Sequence, residues 1–200
     1  MKRILTKFSF IIAIAMLFSG AVFSQEQKNQ LIPGLVKSAK RNKPPSDAII
    51  LFERGNLNNF ISVKGNAAAQ WKVKGAKFTV VPKTGKIQTK QDFGDFQLHI
   101  EFKTPRKAKE QEGQKSGNSG IYMMGRYEVQ VLNSYENETY PDGQAGAVYE
   151  QYPPLVNASV KPGKWQVYDI VFKAPRYNGS GEMENPPFLT VFHNGVLIQN

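Results

Sequence analysis

The chain has 200 residues, a formal charge of +10 and no cysteine. The missing cysteine excludes disulfides, thiol chemistry, cysteine-built zinc sites and a lipid anchor on an N-terminal cysteine. The length suits one domain with a real core. The charge would suit an anionic polymer, but Lys and Arg are scattered and no basic strip is interleaved with aromatics, so no nucleic-acid partner is expected.

The chain opens "MKRILTKFSFIIAIAMLFSGAVFSQEQ". Lys2, Arg3 and Lys7 form a basic head, Phe8 to Phe18 an apolar stretch, and small residues lead to a cleavage site before Gln25. This is the pattern of a secretory signal peptide. The apolar run falls short of the roughly 20 residues a spanning helix needs. Residues 1–24 are therefore expected to be removed, leaving no membrane span and a periplasmic or secreted protein. Residues 25–47, with the basic "KSAKRNKPPSD", read as a solvated linker, and the domain is expected over 48–200.

Short β-rich runs then dominate, separated by Gly, Pro and Asn. "AIILFE" is the first expected strand. "AQWKVKGAKFTVVP" reads as a hairpin turning at Lys74-Gly75, followed by "GKIQTKQDFG". In "DFQLHIEFKTP", Phe96, Leu98, Ile100 and Phe102 alternate with Gln97, His99 and Glu101, so one face is apolar and the other polar. "PRKAKEQEGQKSGNSG" reads as a surface loop, and "NSGIYMMG" and "RYEVQVLNS" as strands. "AGAVYE", "GKWQVYDIVFKAP" and "PFLTVFHNGVLIQN" follow, the last with Asn194-Gly195 as a type I′ hairpin signal. A return strand ending at Asn200 would leave an open sheet edge, and further strands are expected in the parent domain. Many short alternating strands predict an all-β sandwich of two antiparallel sheets.

The stretch "GRYEVQVLNS" raises the functional question. Tyr127, Val129 and Val131 share one face, which suits a core. Arg126, Glu128 and Gln130 share the other, expected to be the exposed face of a central strand. Gln is unusual in a strand centre, and a cation two residues from a carboxylate favours its charged form. Asn118 and Tyr149 lie in neighbouring segments, adding the planar amides and aromatics that grip sugars. His99 and Glu101 share a face and are a second candidate pair for proton transfer. His193 reads as a turn flank. Sandwich glycosidases place two acids on one strand, but Gln130 stands where the second would be. Glu138 and Asp142 are acids of the kind that bind calcium, yet no calcium-loop spacing matches. No cofactor and no metal is expected, with a divalent ion left open. No nucleophile elbow, phosphate loop or dinucleotide fingerprint is present.

Taken together, "ILFERGNLNNF", "GDFQLHIEFKTP", "GNSGIYMMGRYEVQVLNSY", "AGAVYEQYPPLVNASVKPGKWQVYDIVFKAPRY" and "LTVFHNG" resemble the 3-keto-disaccharide hydrolase family. The resemblance runs in order from about Ala48 to the end. It departs at Phe60, where the family commonly has Trp, and in the family's further C-terminal strands. It implies a concanavalin A-like jelly roll, export, and cleavage of glycosides with a ketone at C3, by hydrolases or by lyases and hydratases. A C3 ketone acidifies the C2 proton, so one base, one acid and donors for an enolate suffice. On this footing Glu128 is the expected base or acid, with His99 and Glu101 as further proton-transfer candidates. Arg126, Gln130, Asn118 and Tyr149 are the expected carbohydrate-binding residues. The alternative is a non-catalytic, lectin-like carbohydrate-binding module on the same fold.

Overall fold

The computed structural model describes residues 34–37 and 43–200. The expected signal peptide lies outside them. The chain divides into a unit ending at Ile50 and a unit of Leu51–Asn200. In the first, the backbone N–H of Lys37 donates to Ser46 Oγ and that of Ser46 to the Lys37 carbonyl. The second carries the fold.

"AIILFE" forms no strand. Ile49 and Ile50 remain exposed, and β-favouring side chains make strands only where packing rewards them. Phe52 instead packs edge-on against Phe78, 4.8 Å between ring centroids. The first strand is β1 (Phe60–Ser62), and β2 (Lys72–Val73), β3 (Phe78–Thr79) and β4 (Ile87–Thr89) follow. β1 pairs with β4, and β2 with β3 across the expected turn, all antiparallel.

The longer strands are β5 (Phe96–Phe102), β6 (Ser119–Met123), β7 (Tyr127–Val131) and β8 (Gln166–Lys173). Then come β9 (Arg176–Tyr177), β10 (Met183–Asn185), β11 (Phe188–His193) and β12 (Val196–Gln199). One antiparallel sheet has the order β12-β11-β8-β5. Asn194 and Gly195 both have positive φ, 52° and 81°, which is the type I′ turn joining β11 to β12. The short β9–β10 ribbon was not legible as strands, because its residues are exposed and show no alternation.

The inner face of the four-stranded sheet presents Leu98, Ile100, Tyr168, Ile170, Phe172 and Val191. Opposite it, β6 and β7 contribute Met123, Val129 and Val131 to the same core. The Tyr168 hydroxyl crosses between the layers and donates to the Gln130 carbonyl at 2.9 Å. Its burial raises the phenol pKa above the ordinary value, so it stays a donor. This is the expected all-β sandwich of antiparallel sheets. His193 flanks its turn but is fully buried, against Tyr168 and Phe102. Its Nε2 bonds Gln166 Oε1 at 2.9 Å, and an acceptor there requires Nε2 to carry the proton.

A candidate active site on the outer face of the short ribbon

β6 and β7 form a hairpin whose turn has Met124 and Gly125 at φ 52° and 67°. Arg126 closes that turn, its N–H donating to the Met123 carbonyl. The turn sets the register, which pairs Tyr122 with Glu128, Ile121 with Val129 and Gly120 with Gln130. On its other side β7 is flanked by residues 146–149. The N–H of Gln130 bonds the Ala147 carbonyl, that of Tyr149 bonds the Glu128 carbonyl, and Val129 bridges Val148. β7 therefore lies between two neighbours, and Glu128 stands between Tyr122 and Tyr149.

Tyr127, Val129 and Val131 face the core, as the alternation predicts. Glu128 and Gln130 face outward, but their settings differ. Glu128 is half-buried. Its Oε2 accepts a 2.5 Å bond from the Tyr122 hydroxyl, and its Oε1 takes no hydrogen bond from the described residues. The carboxylate lies over Gly120, where a Cβ would sit 1.8 Å from Oε1. Glycine at this position is thus what lets the carboxylate reach Tyr122. Lys86 Nζ sits 3.7 Å from the Tyr122 ring centroid, a cation–π contact. Burial, then the bond to Glu128, raises the Tyr122 pKa, with Lys86 opposing.

Gln130 is not on an exposed face; it is buried at 1 % exposure. The reason is the loop that reads as surface. It folds back in two 3₁₀ turns, Arg106–Glu110 and Gly113–Lys115. Gln114, from the second, covers the end of β7. Its Oε1 accepts from Gln130 Nε2 and from Asn118 Nδ2, both at 3.0 Å. Its Nε2 donates to the Gly143 carbonyl and Thr139 Oγ1. Tyr149 is half-buried, and its hydroxyl shares a 2.6 Å bond with that of Tyr140, which is 40 % exposed. That bond, then burial, raises the Tyr149 pKa above its ordinary value, and the charges of Glu150 and Glu128 add to it.

Glu128, Gln130, Asn118 and Tyr149 are thus gathered in one region. Arg126 is in the turn, exposed, and makes no ion pair with Glu128; the cation near Glu128 is Lys86, through the Tyr122 ring. His99 and Glu101 are not brought to Glu128. They project from the outer face of β5, on the far side of the core. There His99 Nδ1 pairs with Asp169 Oδ1 at 2.6 Å, both exposed. Tyr122, Tyr140, Gln114 and Lys86 were missed by sequence reasoning. The Met124-Gly125 turn was the available signal for Tyr122, because it fixes which residue faces Glu128. Among the described residues, no three His, Asp or Glu side chains converge where a cation would sit. The open groove lined by Asp95, Lys173, Arg176, Asn185 and Phe188 contains none of the expected site residues.

A solved structure from Parabacteroides distasonis, described as that of a candidate glycosyl hydrolase, is 46 % identical with a TM-score of 0.79. The match covers 84 % of this chain and 73 % of that one. A second protein of that organism with the same description is 17 % identical, with a TM-score of 0.52 over 75 % of this chain and 69 % of that one. That second match speaks for the fold alone. No curated protein matches the chain. The family model described as the 3-keto-alpha-glucoside-1,2-lyase-like domain matches residues 47–200. This chain therefore belongs to the 3-keto-alpha-glucoside-1,2-lyase-like family, and its role is glycoside hydrolase-like.

Proposed function

We propose that the protein is an exported enzyme that cleaves 3-keto-glycosides, with Glu128 as the proton-transferring base. The observation that carries this reading is the Glu128 carboxylate. One oxygen is fixed by Tyr122, and the other takes no hydrogen bond from the described residues and lies over Gly120. A single positioned carboxylate suits removal of a proton next to a ketone. It suits paired-carboxylate glycosidase chemistry poorly, since Gln130 occupies the second acid's place and is buried.

In this mechanism the C2–H bond breaks and the proton passes to Glu128 Oε1. The electron pair forms the C2–C3 double bond, and the negative charge develops on the C3 oxygen. The Tyr149–Tyr140 pair holds two hydroxyl protons and uses one between them. The other is free to donate to that oxygen. The C3 ketone then re-forms as the C2–C3 electron pair becomes a C1–C2 double bond and the C1–O bond breaks, and the leaving oxygen takes the proton held by Glu128. Water then adds across that double bond, its oxygen at C1 and a solvent proton at C2, which gives net hydrolysis. Asn118 would orient a sugar hydroxyl through its Oδ1, and Gln114, whose amide is fully hydrogen-bonded within the protein, would hold Asn118 and Gln130 in place. His99 and Glu101, across the core, take no part. An exported carbohydrate enzyme fits the basic, apolar N-terminal pattern, and its partner is the carbohydrate substrate.

The test is release of the leaving group from a 3-keto-glycoside and from its unoxidised counterpart. The expected result is release from the keto sugar alone, abolished by Glu128→Gln. Sugar binding without release from either compound would instead favour the lectin-like module. Equal release from both would overturn the ketone requirement.

A further inference from the structure

One edge of the molecule gathers positive charge that the Glu128 site does not use. β5 leaves its sheet at Lys103, beside the segment 161–165 that leads into β8. The two are tied by the Gly163 N–H, which donates to the Thr104 carbonyl at 2.9 Å. Phe102 pairs with Gln166, so Lys103 and Trp165 are neighbours across the strands. Lys103 Nζ stands 4.8 Å from the Trp165 ring centroid, and Trp165 is 50 % exposed. Arg106 lies against Gly163, where a Cβ would come 2.4 Å from Arg106 Cγ. Lys161 Nζ stands 5.6 Å from the Tyr135 ring centroid, and the Lys164 N–H bonds the Lys161 carbonyl.

Lys103, Arg106, Lys161 and Lys164 are all exposed, and none forms an ion pair among the described residues. Along the chain, Glu101 and Glu110 flank Lys103 and Arg106, and Glu136 follows Tyr135. Residues that look scattered in sequence thus meet as a basic edge with two aromatic rings set into it.

We propose that this edge binds a carboxylate-bearing polysaccharide, a polyuronate. Exposed cations without ion pairs among the described residues attract an anionic partner. The Arg106 guanidinium suits the fork of a carboxylate. Trp165, half exposed, offers ring surface to a sugar, while the lysines supply point charges. The inference is independent of the catalytic reading: the edge would anchor a glycan whether or not Glu128 acts on it.

The test is binding of polygalacturonate to the full chain, with neutral dextran and oligothymidylate as comparators. The patch variant carries Lys103→Gln, Arg106→Gln, Lys161→Gln and Lys164→Gln. A control with the same charge change carries Lys64→Gln, Lys72→Gln, Lys74→Gln and Lys77→Gln. Polygalacturonate should bind in a salt-sensitive manner, dextran should not, and the patch variant should bind about tenfold or more weakly while the control is unaltered. Release from a small 3-keto-glycoside should be the same for the patch variant and the parent. No binding to polygalacturonate, equal weakening in both variants, or oligothymidylate binding as tightly would each overturn the proposal.

Discussion

Replacing Gly120 by Ala tests the site with a single carbon. The new Cβ would lie 1.8 Å from Glu128 Oε1, 2.6 Å from Cδ and 2.8 Å from Cγ. Ordinary contact begins near 3.4 Å, so the carboxylate must move by about 1.5 Å. A displacement of that size breaks the 2.5 Å bond from Tyr122. The fold itself should tolerate the change, because the obstructing atoms belong to a flexible side chain rather than to the backbone. Alanine is also favoured over glycine within a strand by about 0.5–1 kcal/mol. Stability and activity should therefore separate. Misplacing a reacting group by about 1 Å costs about 100-fold in rate, so kcat/KM for Gly120→Ala should fall by about that factor. The thermal midpoint should hold or rise. The assay pairs turnover of a 3-keto-glycoside with thermal unfolding of the same preparation. Unaltered turnover with intact stability would refute the placement of Glu128 over Gly120 as functionally meaningful. Loss of both together would show that Gly120 serves packing instead.

Three further expectations concern the site and the core. Tyr122→Phe removes the donor to Glu128; a hydrogen bond to a charged group contributes about 1.5 kcal/mol or more, so kcat/KM should drop about tenfold, and an unaltered pH–rate profile and rate would contradict the role. His193 is held neutral in the core, its pKa pushed down by burial to about 4 from 6.5. Between those values the unfolded chain takes up a proton that the folded chain refuses, so stability is full above about pH 6.5 and falls by about 3 kcal/mol as the pH drops to 4. Denaturant titrations across that range should show this slope, and His193→Gln should remove it; the same slope in the variant would assign it to other groups. Gly146 has φ +85°, and a Cβ there would sit 2.1 Å from Ile198 Cδ1. Gly146→Ala should cost about 1–3 kcal/mol through overpacking, read as a lowered denaturation midpoint, and an unmoved midpoint would contradict it.

What could be read from the sequence was what depends on local periodicity and turn chemistry. β5 and β8 were legible because one side of each strand packs on the core and the other does not. Asn194-Gly195 was legible because few pairs tolerate two positive φ values. Gln130 was misjudged because its burial comes from Gln114, sixteen residues away on a loop whose polar composition hides its fold. Tyr140 was missed for the same reason: it reaches Tyr149 through a turn at Pro141–Gly143. His99 and Glu101 share a strand face, as alternation predicts, but only the packing of β5 against β7 reveals that the core separates them from Glu128. "AIILFE" has strand composition, yet it forms no strand, because composition alone does not fix strand pairing.

The central claim is that the C2 proton is removed, and it is tested most directly by running the reaction in deuterated water. The wild-type protein would be incubated with a 3-keto-glycoside protonated at C2, beside the free keto sugar without enzyme as a control for spontaneous exchange. Elimination and hydration predict that the original C2 hydrogen is absent from the product, and that Glu128→Gln yields neither exchange nor release. A product that keeps its C2 hydrogen while the glycosidic bond is cut would contradict the account and point to direct displacement at C1.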